Sequence, residues 1–179
     1  MKNVMIRKFG LLILVVCFSL ILASIYGIIH NQITYSISSE YFTKFKFEQF
    51  GFWDYAFEND DKRKLIFIGI LSTCWFGLLI GLILGTLSMF KASLKTMWRI
   101  SINAIIRTLI ITIGFGIIGF LIGNFFVPNF DLNWKLPADL IDKKNFLTAG
   151  SIHNSSYLGG LIGLIYGTFY ILKNRKTSA

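Results

Sequence analysis

The stretch LIFIGILSTCWFGLLIGLILGTLSMF, residues 65–90, contains no charged side chain. A helix that crosses roughly 30 Å of bilayer hydrocarbon needs about 20 consecutive, mostly apolar residues at 1.5 Å per residue. The stretch meets this requirement, so we expect it to span a membrane. Three other uncharged stretches also meet it, at residues 9–29, 108–127 and 150–172.

The composition agrees with a membrane protein. Of the 179 residues, 54% are hydrophobic and only 15% are charged, whereas about 25% are charged in ordinary globular proteins. We therefore predict an all-α fold: one integral membrane domain over residues 1–179, with four transmembrane helices and two longer connections at residues 30–64 and 128–149. Its first partner is the lipid bilayer itself.

Basic residues separate into two groups along the chain. Ten Lys and Arg residues, with no acid, lie before the first span, between the second and third spans, and after the fourth span. The other two connections hold eight basic residues and all nine acidic ones. Because Lys and Arg accumulate on the cytoplasmic side, we predict a multi-pass protein of the cell (inner) membrane with both termini in the cytoplasm. The same asymmetry explains the net charge of +9, so we expect no nucleic-acid partner.

Two segments repeat each other. GLLIGLILGTLSMFK (77–91) and GGLIGLIYGTFYILK (159–173) are identical at nine of fifteen positions. Glycines four residues apart share one helix face and let another helix backbone approach closely, as in a glycine zipper. The predicted packing glycines are Gly77, Gly81, Gly85, Gly159, Gly163 and Gly167. Either a two-helix hairpin was duplicated or two apolar helices resemble each other by chance, and a seam that points outward would make a homo-oligomer.

A second pattern is basic. Lys91, Lys95, Arg99 and Arg107 recur at multiples of four residues, which makes one stripe on a helix. The stripe fits the positive-inside rule with side chains that reach the membrane edge. It also predicts attraction to anionic lipid headgroups on the cytoplasmic face, at about 1 kcal/mol per basic residue.

The connection at residues 30–64 is rich in aromatic residues. Its segment ITYSIS, residues 33–38, alternates like a short strand. Helical spacing follows in Phe42, Phe45, Gln49, Trp53 and Phe57. We expect this connection to cover the outer end of the bundle.

Each of the two histidines precedes an asparagine, in IIHNQITY (28–35) and SIHNSSYL (151–158). The topology places His30 and His153 at one membrane level, and helical phase places Tyr26 and Tyr157 one turn deeper on the same faces. Ionisable residues at this depth are candidates for function. The candidate ligand-binding residues are His30, His153, Tyr26, Tyr157, Asn31, Asn154 and Glu40.

Several roles fit this pattern. The histidines and tyrosines could anchor the helices by hydrogen bonds, bind a ligand, act in acid/base catalysis or respond to pH. They could also hold a metal or haem, although two imidazoles alone are an incomplete zinc shell, and no motif identifies a cofactor, a metal site or a catalytic residue.

Three functions compete. The first is a binding or interaction protein with a polar outer-facing pocket around the two histidines, which requires a pocket closed from inside. The second is a small transporter or channel component, which requires a continuous polar path. The third is a membrane enzyme acting on a lipid or quinone at the outer leaflet, which requires a lateral opening and a carboxylate such as Glu40 beside a histidine base.

The stretch HNQITYSISSEYFTKFKFEQF, residues 30–50, resembles a segment of uncharacterised bacterial multi-span membrane proteins of about this size. The resemblance covers the first outer connection and implies no activity and no functional residue. The proline that the resemblance implies before Glu40 is Ser39 in this chain.

Overall fold

The computed structural model describes residues 2–52, 60–90, 93–127 and 136–174. In chain order its elements are α1 (Lys2–Ile37), α2 (Ser39–Tyr41), a π-helical turn (Phe42–Lys46), α3 (Phe47–Gln49), α4 (Asp61–Met89), α5 (Leu94–Phe125) and α6 (Lys143–Lys173). The four long helices are each long and apolar enough to cross a membrane. The predicted all-α, four-helix fold is confirmed, and the chain is a multi-pass membrane protein.

All four long helices begin before the predicted spans. Side-chain caps fix three of their N-termini: the side chains of Asp60, Ser93 and Asp142 accept hydrogen bonds from the backbone N–H three residues later. Such caps satisfy N–H groups that have no partner within the helix. Hydropathy finds the part of a helix that lies in hydrocarbon, whereas the caps define where the helix begins.

The strand predicted for ITYSIS (33–38) is wrong, because α1 continues to Ile37. Contacts of Thr34 favour the continuation of helix α1. Its hydroxyl donates to the carbonyl of His30, one turn earlier, at 2.8 Å, and its side chain is fully buried. Alternating β-branched and polar residues favour a strand only weakly, and tertiary packing overrides the preference here.

The long helices form two antiparallel hairpins, α1 with α4 and α5 with α6. In the first, a Cβ added to Gly81 would lie 2.8 Å from the Cα of Val16 on α1. In the second, a Cβ added to Gly163 would lie 2.9 Å from the Cα of Thr108 on α5. In each hairpin the glycine-rich second helix thus packs directly on the backbone of the first.

The six seam glycines all contact other helices of the same chain. The neighbouring atoms belong to α1 for Gly77, Gly81 and Gly85, to α5 for Gly159 and Gly163, and to both α4 and α5 for Gly167. The outward-pointing seam that would make a homo-oligomer is therefore not found among these glycines.

Two apolar clusters pack within the bundle, one at its roof end and one deeper. At one end the roof segment, residues 38–52, packs its aromatic side chains on α4 and α6. This roof cluster comprises Tyr41, Phe42, Phe47, Leu65, Ile68, Phe146 and Ala149. The second cluster, here called the inner cluster, lies deeper and draws on all four long helices through Val15, Ile80, Leu84, Ile100, Ala104, Ile105 and Ile171. Trp53 and Phe57, the last two residues of the predicted helical spacing, lie outside the described residues.

Candidate functional site

A cavity of about 70 Å³ lies between the roof cluster and the inner cluster, and most of the surface that it exposes is apolar. All four long helices contribute to its wall, and the polar side chains that line it are Ser19, Tyr26, His30, Asn31, Ser72, Thr73, Thr108, Thr112, His153, Ser156 and Tyr157. Among the residues that the structure describes, no Lys, Arg, Asp or Glu belongs to this lining. The cavity therefore offers hydrogen bonds without a permanent charge.

The two histidines meet in this cavity. Their ring centroids lie 4.4 Å apart with the ring planes almost perpendicular, at 89°. His153 is only 5% exposed, and the ring of Tyr41 from the roof segment stacks on it at 5.1 Å. Helix α1 carries one histidine and α6 the other, so the pair joins the two hairpins.

Thr34 fixes the tautomer of His153. The Thr34 hydroxyl lies 2.8 Å from the His30 carbonyl oxygen and 3.2 Å from Nε2 of His153. Because a hydroxyl has one proton and the carbonyl can only accept, Thr34 donates to the carbonyl and accepts from His153 Nε2–H. The threonine thus holds the imidazole of His153 against α1.

Tyr26 makes the corresponding contact to His30. Its phenol oxygen lies 3.2 Å from Nδ1 of His30, one turn away on the same helix. With the phenol as donor, the proton of His30 sits on Nε2, from which it can be donated to a bound molecule. Both residues line the cavity, so the predicted histidine and tyrosine lie at one place in the bundle.

The remaining candidate residues divide into three groups. Tyr157 lines the cavity, and so does Asn31, whose side-chain amide donates to the carbonyl of Leu65 at 3.1 Å. Asn154 follows His153 on α6 but is exposed, because the next residue of a helix is turned by about 100°. Glu40 lies in the roof segment and contacts neither histidine among the described contacts.

Glu40 links the two outer connections. Its carboxylate accepts hydrogen bonds from the backbone N–H groups of Ile141 and Asp142 at 3.0 and 2.8 Å. It also pairs with Lys44 at 2.7 Å, and Lys44 pairs with Asp139 at 3.1 Å. The hydrogen bonds from Lys44 and from these two backbone groups lower the pKa of Glu40 to about 2. This carboxylate therefore joins the roof segment to the start of α6, and we call these contacts of Glu40 the latch.

Lys46 is buried in the roof segment, with 7% of its surface exposed. Its ammonium group donates to Gln49 at 2.9 Å and lies 5.4–5.8 Å from the ring centroids of Tyr41, Phe45 and Phe50. Loss of solvation lowers the pKa of Lys46 to about 8. The aromatic faces compensate part of the cost of burying this cation.

Sequence reasoning missed two groups of the site. Thr34 lies four residues after His30, and helical spacing could have identified it, had residues 33–38 not been interpreted as a strand. Ser156 lies three residues after His153 inside a predicted span, so helical spacing could have identified it as well. Ser156 is 6% exposed and lines the cavity together with Tyr26. Its hydroxyl therefore faces the same cavity as the two histidines and the Tyr26 phenol.

Only two candidate metal ligands, His30 and His153, meet at the site. Within the described ranges no third His, Cys, Asp or Glu joins the histidine pair to form a metal-binding group. The haem or metal role would thus depend on the two imidazoles alone, and the hydrogen-bonding role uses more of the surrounding side chains.

The predicted basic stripe lies at the end of the bundle opposite the roof. Lys95, Arg99 and Arg107 are exposed, and the guanidinium of Arg107 lies 4.6 Å from the ring centroid of Tyr170 on α6. Lys91 lies outside the described residues. The three described members therefore present their charge outside the bundle and not to the cavity.

Three comparisons complete the description of the site. No protein-family model, no curated protein and no solved structure matches this chain. The functional argument therefore depends on the geometry of the cavity.

Proposed function

We propose that the protein is an integral membrane binding protein whose internal cavity binds a small, uncharged hydrogen-bonding group. One observation carries this proposal: the two imidazoles, 4.4 Å apart, share a cavity walled by hydroxyl and phenol groups from all four long helices. Ionisable residues inside a membrane bundle are candidates for function. The ligand accepts a hydrogen bond from His30 and contacts the Ser156 hydroxyl.

The other two functions are less well supported. Transport needs a polar path through the bundle, and the inner cluster interrupts the described part of that path with aliphatic side chains from all four long helices. An enzyme that uses a histidine as base needs a carboxylate beside it, and Glu40 is engaged with Lys44 and the start of α6. Binding requires neither feature.

We also infer that the roof end faces outward from the cell membrane, with both termini in the cytoplasm. The acidic residues Glu40, Asp60, Asp139 and Asp142 gather at the roof end, and the basic stripe lies at the other end, where Lys95 and Arg99 can reach anionic lipid headgroups. The likeness of residues 30–50 to uncharacterised bacterial membrane proteins stays a prediction.

The presence of only two histidines makes the binding proposal testable. The protein, with ¹⁵N-labelled histidine, is placed in phosphatidylcholine nanodiscs and titrated with butan-1-ol while the ring nitrogens are followed by NMR. We expect a saturable shift at His30 Nε2, and none with 1-chlorobutane, which has a similar size and no hydroxyl group.

Substituting Tyr26→Phe removes the phenol that orients His30. We expect this variant to weaken the butan-1-ol response severalfold while circular dichroism shows the same helix content. Equal responses to the alcohol and the chloride, or no response to either, contradict the proposed function.

A further inference from the structure

The cavity is covered at both ends. Above it, Tyr41 and Phe42 of the roof segment are 5% and 0% exposed and lie 5.1 and 5.9 Å from the ring centroid of His153. Below it lies the inner cluster. A ligand that approached from water at either end would have to displace packed aromatic or aliphatic side chains.

The lateral surface of the bundle, in contrast to its ends, has an open groove. A groove of about 630 Å³ runs between α1 and α5, which belong to different hairpins and are not joined by a glycine seam. Its walls are apolar, with Ile25, Ile29 and Ile33 from α1 and Ile113, Ile117 and Phe120 from α5. These six side chains are between 39% and 59% exposed, on helices that cross the bilayer.

The groove and the cavity share residues. His30 and Tyr26 belong to the linings of both. They are only partly buried, in contrast to His153. An apolar groove that faces the bilayer thus shares two polar side chains with the cavity.

We propose that this groove is a lateral entrance from the bilayer, and that the ligand is a lipid-soluble molecule with one apolar chain and a small uncharged head such as a hydroxyl or carbonyl group. This inference rests on the proposed function and names its ligand class. The head group binds at His30 and Tyr26, and the chain lies in the groove between α1 and α5.

The charge and the size of the cavity and the groove favour this class of ligand. In the part of the chain that the structure describes, neither lining contains an ionised side chain. A charged phospholipid headgroup would therefore lose its hydration without a compensating partner. A cavity of about 70 Å³ admits only a few head-group atoms. Along α1 the groove extends from Leu22 to Ile37, about 22 Å at 1.5 Å per residue, which suits an extended hydrocarbon chain.

The test compares a short and a long alcohol on the same labelled protein in phosphatidylcholine nanodiscs. Ile113→Trp fills the groove, and Ile118→Trp is its control, because Ile118 lies on the same helix with similar exposure, 46% against 44%, but outside the groove lining. We expect Ile113→Trp to reduce the affinity for dodecan-1-ol at least tenfold and the affinity for butan-1-ol by much less, because the short chain occupies little of the groove. The control should bind both alcohols as the wild type does.

The outcomes separate the two proposals. If neither alcohol shifts the ring nitrogens of the wild type, the proposed function fails. If butan-1-ol shifts them but dodecan-1-ol does not, or if dodecan-1-ol binds Ile113→Trp as tightly as the wild type, only the lateral entrance fails.

A second measurement covers the case in which Ile113→Trp disturbs both responses. A dodecan-1-ol analogue with a terminal diazirine is cross-linked to the wild type, and the labelled peptides are identified by mass spectrometry. We expect labels concentrated at residues 25–37 and 113–120. Labels spread over all lipid-facing surfaces, or equal labelling of the groove by a diazirine-bearing phosphatidylcholine, would overturn the inference.

Discussion

Glu40 shows how one side chain can hold two connections together. It receives two backbone hydrogen bonds from the start of α6 and an ion pair from Lys44, while Lys44 also reaches Asp139. The latch keeps the roof segment, including Tyr41, over the histidine pair. The stability of the roof should therefore depend on the charge of this one carboxylate.

The pH dependence follows from the lowered pKa. The pKa of Glu40 falls from 4.5 to about 2 on folding, so the unfolded chain takes up the proton first as the pH falls. The stabilisation by Glu40 is complete above pH 4.5 and is lost between pH 4.5 and about 2. We expect Glu40→Gln to lower the Tm at pH 7 and the difference from wild type to vanish near pH 2, as followed by tryptophan fluorescence in detergent.

The matched control is Glu48→Gln. Glu48 lies in the same roof segment with an exposed side chain, so this substitution should leave the Tm within about a degree of wild type at each pH, since surface changes rarely exceed ±0.5 kcal/mol. A Glu40→Gln difference that stays constant from pH 7 to pH 2 would contradict the latch.

For single residues, helical spacing predicts correctly which side chains share one face of a helix. It does not predict how the connections between helices fold. His30 with Tyr26, and His153 with Tyr157, follow from spacings of four residues, and all four line the cavity. Asn154 is adjacent in sequence and is turned away, and Glu40 depends on how the roof segment folds back on α6. No periodicity in the sequence encodes that return.

Among the helices, the glycine seams set how closely the two members of a hairpin approach. A Cβ at position 163 would lie 2.9 Å from both the Cα and the carbonyl oxygen of Thr108, and a backbone cannot move aside as a flexible side chain can. We expect Gly163→Ala to destabilise the protein by about 1–3 kcal/mol, measured as a lower Tm and faster thermal inactivation in detergent.

Gly114→Ala makes the same chemical change on the partner helix α5, where nothing lies within 4 Å of the added Cβ. Its stability should equal that of the wild type or slightly exceed it, because alanine favours the helix over glycine. If both variants lose the same stability, glycine matters for a reason other than close packing.

The long helices also show what hydropathy and residue spacing can predict and what they cannot. Four helices and their order follow from the uncharged runs, because each run is long enough to cross a bilayer. Their ends do not, since the caps at Asp60, Ser93 and Asp142 lie in polar sequence outside the runs. Residues 33–38 show the same limit, because α1 leaves the apolar run and stays helical through contacts with His153 on a distant helix.

For the whole molecule, the orientation in the membrane is open to a direct test. In a background of Cys17→Ala and Cys74→Ala, single cysteines are introduced by Ala138→Cys at the roof end and Asn174→Cys after α6, both at exposed positions. We expect an impermeant maleimide added to intact spheroplasts to label the first, and the second only after permeabilisation. The reverse pattern would invert the orientation.

The two hairpins use the repeated segments in the same way. In each, the helix that carries the Gly-x-x-x-Gly-x-x-x-Gly frame packs on the helix that precedes it, at Val16 in one hairpin and at Thr108 in the other. Equivalent packing is what duplication of a hairpin predicts, and the sequence alone left chance similarity as an alternative.

The arrangement of the histidines has a consequence for biosynthesis. During translation α1 and α4 can complete their glycine contacts while α6 is still inside the ribosome, but His30 then faces a wall that lacks His153, Ser156 and Tyr157. The cavity is assembled only when the last helix inserts beside the first. A nascent chain stalled before α6 would therefore expose to lipid the polar side chains that α6 covers in the complete bundle.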